Sequence, residues 1–160
     1  MKTEPQKEHA WLLKLCGDWT SKGEMTMQPG QPGETWETNE QVRSLGDIWV
    51  QCEGKGEMKD GSVATTIMTL GYDTQTKEFV GNFVASMMTH MWIYEGALDA
   101  DEKVLTLNTE GPDFSAPGKY ARYKDVIAIE SDDHRTLTSY MQNDDGQWHQ
   151  VVRADYWRKK

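Results

Sequence analysis

His90 is the side chain whose neighbours best suit it to chemistry. It sits in the run Ser86-Met87-Met88-Thr89-His90-Met91-Trp92, an imidazole among thioethers and an indole. Such a histidine can contact a bound ligand or serve as an axial ligand to haem, and a loop histidine can equally well bond a backbone carbonyl. Metal ligation usually needs partners at a recognisable spacing, and His149 is the only histidine partner the strand order offers. Five acids, Glu40, Glu53, Glu57, Glu95 and Asp125, interrupt β-like runs. A buried carboxyl pair could do acid–base work, but acids in strands ordinarily face water, and most of these are expected outward. Glu95 is the exception to watch, beside Tyr94 and near Trp92. A small isomerase or hydrolase using His90 with Glu95 or Tyr94 is the catalytic reading. The chain carries no Gly-x-Ser-x-Gly, and Cys52 has no companion base. Gly54-Lys55-Gly56 lacks the spacing of a phosphate loop and a following helix.

These side chains must be positioned by the surrounding elements. Residues 4–15 read as a helix, with Pro5 near its start, Trp11, Leu12 and Leu15 at helical spacing, and Gly17 after it. Beyond Gly17 the period becomes two. Trp19, Ser21, Gly23, Met25 and Met27 alternate with Thr20, Lys22, Glu24 and Thr26. Turn clusters then recur, from Pro29-Gly30-Gln31-Pro32-Gly33 to Asp144-Asp145-Gly146. The stretch 77–99 has no such punctuation. As one strand it would span nearly 80 Å, at about 3.4 Å per residue, so a hairpin tip is placed at residues 86–90.

The result is ten strands, near 18–28, 34–44, 47–58, 62–72, 77–86, 91–98, 103–109, 119–130, 135–143 and 147–158. Short connections make neighbours antiparallel, and closure into a barrel removes the two long edges of an open sheet. Up-and-down order sorts the loops. Those at 45–46, 73–76, 99–102 and 131–134 share one end, the floor, which the helix can plug. Those at 29–33, 59–61, 87–90, 110–118 and 144–146 share the other, the mouth.

Composition limits what such a barrel can do. The 160 residues suit a single domain, with the helix at 4–15 and the barrel over 17–158. Leu, Ile, Val and Phe make up only about a sixth of the chain, and net charge is −9, a combination that approaches a disordered composition. Seven Trp, nine Met and six Tyr argue for a folded core instead. The acidic balance opposes nucleic-acid binding. No run approaches the roughly 20 apolar residues of a membrane span, and the first residues show no apolar leader core, so a cytoplasmic protein is expected. Two cysteines 36 residues apart suggest neither a disulfide nor a zinc ribbon.

Several residues also carry a resemblance. Gly17-Asp18-Trp19, with Arg158 at the end of the last strand, resembles the Gly-x-Trp and arginine pair of lipocalin-like (calycin) barrels. Further pieces include Leu70-Gly71-Tyr72-Asp73, Phe79-Val80-Gly81, Ser86-Met87-Met88-Thr89-His90, Tyr94-Glu95-Gly96, Tyr123-Lys124-Asp125-Val126-Ile127 and Tyr156-x-Arg158. On these the chain is similar to the uncharacterised bacterial family called domain of unknown function 1579, a calycin-like barrel family. The resemblance implies the fold, with Arg158 stacked on Trp19 at the floor. It implies no reaction and no cofactor.

An all-β, ten-stranded up-and-down barrel with a small apolar or aromatic guest is therefore the leading expectation. Met adapts to irregular guests, and an interior of eight or more strands need not be filled by its own side chains. The candidate ligand-binding residues are Met25, Met68, Phe83, His90, Trp92, Tyr94, Tyr123 and Tyr156, with Met27 and Met141 as further lining. The inward parity of 47–58 and 91–98 stays open, because both faces of those strands carry apolar residues. The alternatives are the small enzyme, a haem-binding barrel, and a homo-oligomeric interaction module such as a homodimer, for which apolar groups on the outer wall would speak.

Overall fold

The computed structural model describes residues 3–26 and 33–160. One helix, α1 (Lys7–Leu13), precedes ten strands: β1 (Gly17–Met25), β2 (Glu34–Leu45), β3 (Trp49–Glu57), β4 (Val63–Asp73), β5 (Glu78–Ala85), β6 (Trp92–Leu98), β7 (Val104–Pro112), β8 (Tyr120–Ser131), β9 (His134–Gln142) and β10 (Trp148–Arg158). Every strand pairs antiparallel with its sequence neighbours, and β1 closes on β10 to complete the barrel. The expected hairpin tip at residues 86–90 falls in the connection between β5 and β6. Met27 and the mouth turn at 29–32 lie outside the described residues.

The helix is shorter than the expected 4–15. The Gln6 backbone N–H donates to His9 Nδ1 at 2.8 Å, which makes Gln6 the cap and starts α1 two residues after Pro5. At the other end, Leu15 N–H donates to Leu12 O and Cys16 N–H to Leu13 O, so the last turn tightens before Gly17. Strand β7 runs three residues beyond its expected end, because Gly111 and Pro112 continue the ladder with Ala121 and Tyr120.

The floor is sealed by α1. Leu12, Leu15 and Trp11 are buried there. Trp11 Nε1 donates to Glu102 O at 2.7 Å across the β6–β7 turn. His9 uses Nδ1 as an acceptor, so its Nε2 carries the proton and donates to Tyr72 O at 3.1 Å. Trp19 is 2% exposed, and its Nε1 donates to Leu15 O. Arg158 stacks 4.3 Å from the Trp19 ring, as the resemblance implies, and its guanidinium donates to the carbonyls of Lys14, Cys16 and Asp132. The motif glycine has a physical reason. Gly17 sits at φ +130°, and a Cβ there would lie 2.3 Å from Arg158 Nη1.

Candidate functional site

Alternation places Val50 and Cys52 of β3 and Trp92 and Tyr94 of β6 inside, resolving the two open parities. A row of paired residues, Val42, Cys52, Met68, Phe83 and Trp92, crosses the inner wall from β2 to β6. Trp36 also faces inward, since a Cβ on Gly23 would strike its ring at 2.3 Å. Trp92 fills the equivalent space over Gly111. In β10 a bulge between Gln150 and Val152 shifts the register, so His149 faces inward opposite Met141 while Val152, Ala154 and Tyr156 face inward below it.

The interior differs along the barrel axis. On the floor side Val50, Leu70, Phe79, Leu105, Leu107 and Ile127 are buried. Towards the mouth, Met25, Trp36, Phe83, Ala121, His149 and Val152 face the same interior but are only half-buried. The half-buried inward residues thus gather towards the mouth, although Trp92, Thr109, Tyr123 and Met141 there are buried and Leu137 below is half-buried.

Two acids expected outward face inward instead. Glu40 pairs with Arg135, which the sequence reading did not single out. The Arg135 guanidinium lies 4.0 Å from the Tyr156 ring and 4.7 Å from the Trp19 ring. Ser21 and Thr38 share a hydrogen bond just above. The second acid, Asp125, is directly opposite Ser139 and accepts from Ser139 Oγ at 2.6 Å and from Tyr94 OH. Burial pushes the Asp125 carboxyl above the usual carboxylate range, partly offset by those two donors. Burial likewise raises Tyr94 and Tyr156, and lifts Tyr123 to about 12. Cys52 is buried and its thiol is held far above the reactive range by desolvation. Glu53, Glu57 and Glu95 face outward, as alternation requires.

Tyr94 points into the barrel and is 1% exposed, whereas Glu95, the next residue, is exposed on the outer wall. Their side chains lie on opposite sides of β6, so Glu95 and Tyr94 cannot both join His90 on one substrate. His90 itself sits on the rim, its Nε2 in a 2.9 Å hydrogen bond with Glu110 O and its ring edge-on to Trp92 and Tyr120.

The remaining candidate residues separate into two groups. Trp92 and Tyr123 meet edge-to-face at 5.0 Å near the mouth, Trp92 Nε1 donates to Met88 Sδ, and Tyr123 OH donates to Pro112 O. Phe83 is paired with Trp92, and Met25 ends β1 on the other side of the mouth. Met68 of β4, Tyr94 of β6 and Tyr156 of β10 are buried on the same inner wall. Three inward polar atoms went unnoticed in the sequence. Thr109 Oγ1, His149 Nδ1 and, at the floor, Arg135 Nε are buried without a hydrogen-bond partner among the described residues. Two clefts open at the ends. One of about 250 Å³ lies at the floor against Trp19, Arg135 and Arg158. The other, about 600 Å³, lies on the mouth rim between the β7–β8 and β9–β10 loops and reaches inward to Met141. Among the described residues no helix is long and apolar enough to cross a membrane.

The model of the family described as "Protein of unknown function (DUF1579)" matches residues 4–158. No curated protein sequence matches the chain. Solved structures share its fold. The S-type phycobiliprotein lyase CPES from Guillardia theta superposes with a TM-score of 0.65 at 14% identity, covering 98% of this chain and 99% of that one. Rv2717c from M. tuberculosis gives 0.62 at 13% identity, covering 98% and 100%. EF1p2_mFAP2b bound to DFHBI gives 0.50 at 11% identity, covering 94% and 98%. At these identities the likeness is one of fold.

Proposed function

We propose that this chain, which belongs to the family described as protein of unknown function (DUF1579), is a carrier or sensor that holds a small apolar or aromatic molecule in the mouth half of its barrel. The observation that carries the reading is the contrast along the inner wall: buried below, half-buried above, with the half-buried part built from Met25, Trp36 and Phe83 around the Trp92–Tyr123 pair. Thioether and aromatic side chains adapt to a guest without leaving polar groups unpaired. Met25, Phe83, Trp92 and Tyr123 would touch the guest, His90 would flank the opening, and Met68, Tyr94 and Tyr156 would form the base. The mFAP2b structure, which shares the fold, is bound to DFHBI, so a barrel of this shape can hold a small guest. Native mass spectrometry of the protein purified from its own host tests the reading. A discrete mass adduct, released on denaturation and reduced by Trp92→Ala, is expected. An adduct-free spectrum together with an interior filled by protein side chains would overturn it.

A homo-oligomer is a second proposal, on one observation. Met87, Met91, Ile93, Phe114 and Tyr120 are exposed large apolar side chains on β6, the start of β8 and the mouth loops. Light scattering should then show a dimer that Ile93→Glu disperses; a monomer at high concentration would remove the idea.

A further inference from the structure

The two inward acids are compensated differently. Glu40 has Arg135 as its partner, and the pair is further held by the faces of Trp19 and Tyr156. Asp125 has only hydroxyls, Tyr94 OH and Ser139 Oγ, and among the described residues no cation forms an ion pair with it. A carboxylate has about four lone-pair positions, so two donors leave about half its accepting capacity open. Removing such a group from water without a counter-charge is costly. Asp125 faces the interior and is half-buried as a residue, and those two hydroxyls are all that the described side chains offer its carboxylate.

Its surroundings are arranged for a guest with a flat body and a donor head. Thr109 pairs with Tyr123 on β8, two residues from Asp125 on the same face, and its buried Oγ1 has no partner. Such diagonal neighbours stand about 7–8 Å apart at the backbone, close enough for their side chains to face one common group. Tyr123 and Trp92 supply aromatic faces just above. The charges on the rim favour a cation too. Lys119 is paired with Asp144 and Arg122 with Glu110, while Asp113 and Asp145 also border the opening. A net charge of −9 adds attraction at long range. His149 also faces inward at the mouth, and His90 flanks the rim beside Trp92.

We propose that the guest is a small aromatic molecule with a protonated nitrogen, its cationic head on the Asp125 carboxylate and beside Thr109 Oγ1, its ring against Tyr123 and Trp92. This rests on the reading that the mouth half takes a small molecule. It adds the charge class of that molecule and the two residues that select it.

Three indoles of one shape separate the claims: tryptamine (cationic), tryptophol (neutral) and indole-3-acetate (anionic), each titrated calorimetrically into the wild-type protein at neutral pH. Tryptamine should bind more tightly than indole-3-acetate by at least about tenfold, the scale of one charge-assisted hydrogen bond. Asp125→Asn should erase that preference and leave tryptophol within about twofold, since only the charge is removed. Thr109→Val should weaken tryptamine while leaving the order of the three intact. Equal binding of all three, an anion preferred, or a cation preference that survives Asp125→Asn would each overturn the proposal. The wild-type ranking is decisive even if Asp125→Asn does not fold. If none of the three binds while the native protein carries an adduct, the charge class is wrong and the carrier reading stands. If neither is seen, both fall.

Discussion

At the floor, Leu12, Leu15 and Trp19 are at most 2% exposed, and the inward acid is matched by an arginine. At the mouth, Met25, Trp36, Phe83 and Val152 face the same interior and remain half-buried, and beneath them, directly opposite Leu107, the second inward acid is met only by hydroxyls. Both regions arise from the same alternation of side chains, so the difference lies in what closes each end. The floor has a helix, two guanidinium groups against one indole, and carbonyls saturated by Arg158. The mouth has glycines at 23 and 111, whose missing Cβ atoms make room for the Trp36 and Trp92 rings. The contrast teaches that stability and binding are separated along one axis, and it can be attacked at each end.

The largest effect is expected where a charge would be stranded. Arg135→Met leaves Glu40 buried without its partner and should destabilise the protein by about 3–5 kcal/mol in urea denaturation. Glu40→Met together with Arg135→Met should recover much of that loss. A single variant as stable as wild type would mean the pair is wetter than its burial indicates. Next comes packing. Leu107→Ala, below, should cost about 2–5 kcal/mol, whereas Phe83→Ala, above, should cost clearly less, because its site is already accessible to solvent and leaves a smaller net cavity. Equal losses would erase the distinction between the halves. Arg158→Ala should cost about 1–2 kcal/mol through lost cation–π contact and capping bonds, read as a lower Tm, without changing ligand affinity. The smallest effect concerns pH. The Asp125 carboxyl is raised in the folded state, so the native protein holds a proton that the unfolded chain has released, and stability falls as pH rises from the ordinary aspartate value near 3.8 towards the raised folded value. Asp125→Asn should remove that decline and leave a flatter stability profile over the same window. A decline of the same size in the variant would assign it to another group.

Most of the architecture was legible because strand alternation and turn residues both act locally. The run from Trp19 to Met25 and clusters such as Asp144-Asp145-Gly146 placed strands to within a few residues and sorted the loops between two ends. The interior chemistry was much less legible. Glu40 and Asp125 look like surface acids until the strands opposite them supply Arg135 and Ser139, which are 95 and 14 residues away in sequence. A signal for Arg135 did exist: it shares the period-two face of Leu137 and Met141 in β9. His149 offered none, because strict alternation from Tyr156 would turn it outward, and only the bulge at β10 reverses it. Glu95 misled for the opposite reason. Its neighbours Tyr94 and Trp92 are inward, and adjacency in a strand means opposite faces.

Difference electron density from crystals of the protein purified out of its own host tests the central claim most directly. The expected result is connected density for a small organic molecule in the mouth half, against Phe83, Trp92 and Tyr123, with its polar end at Asp125 and none beside Trp19 and Leu15. An interior filled by protein side chains, or a ligand seated at the floor against Trp19, would contradict the division of the barrel into a closed, stabilising end and an open, binding one.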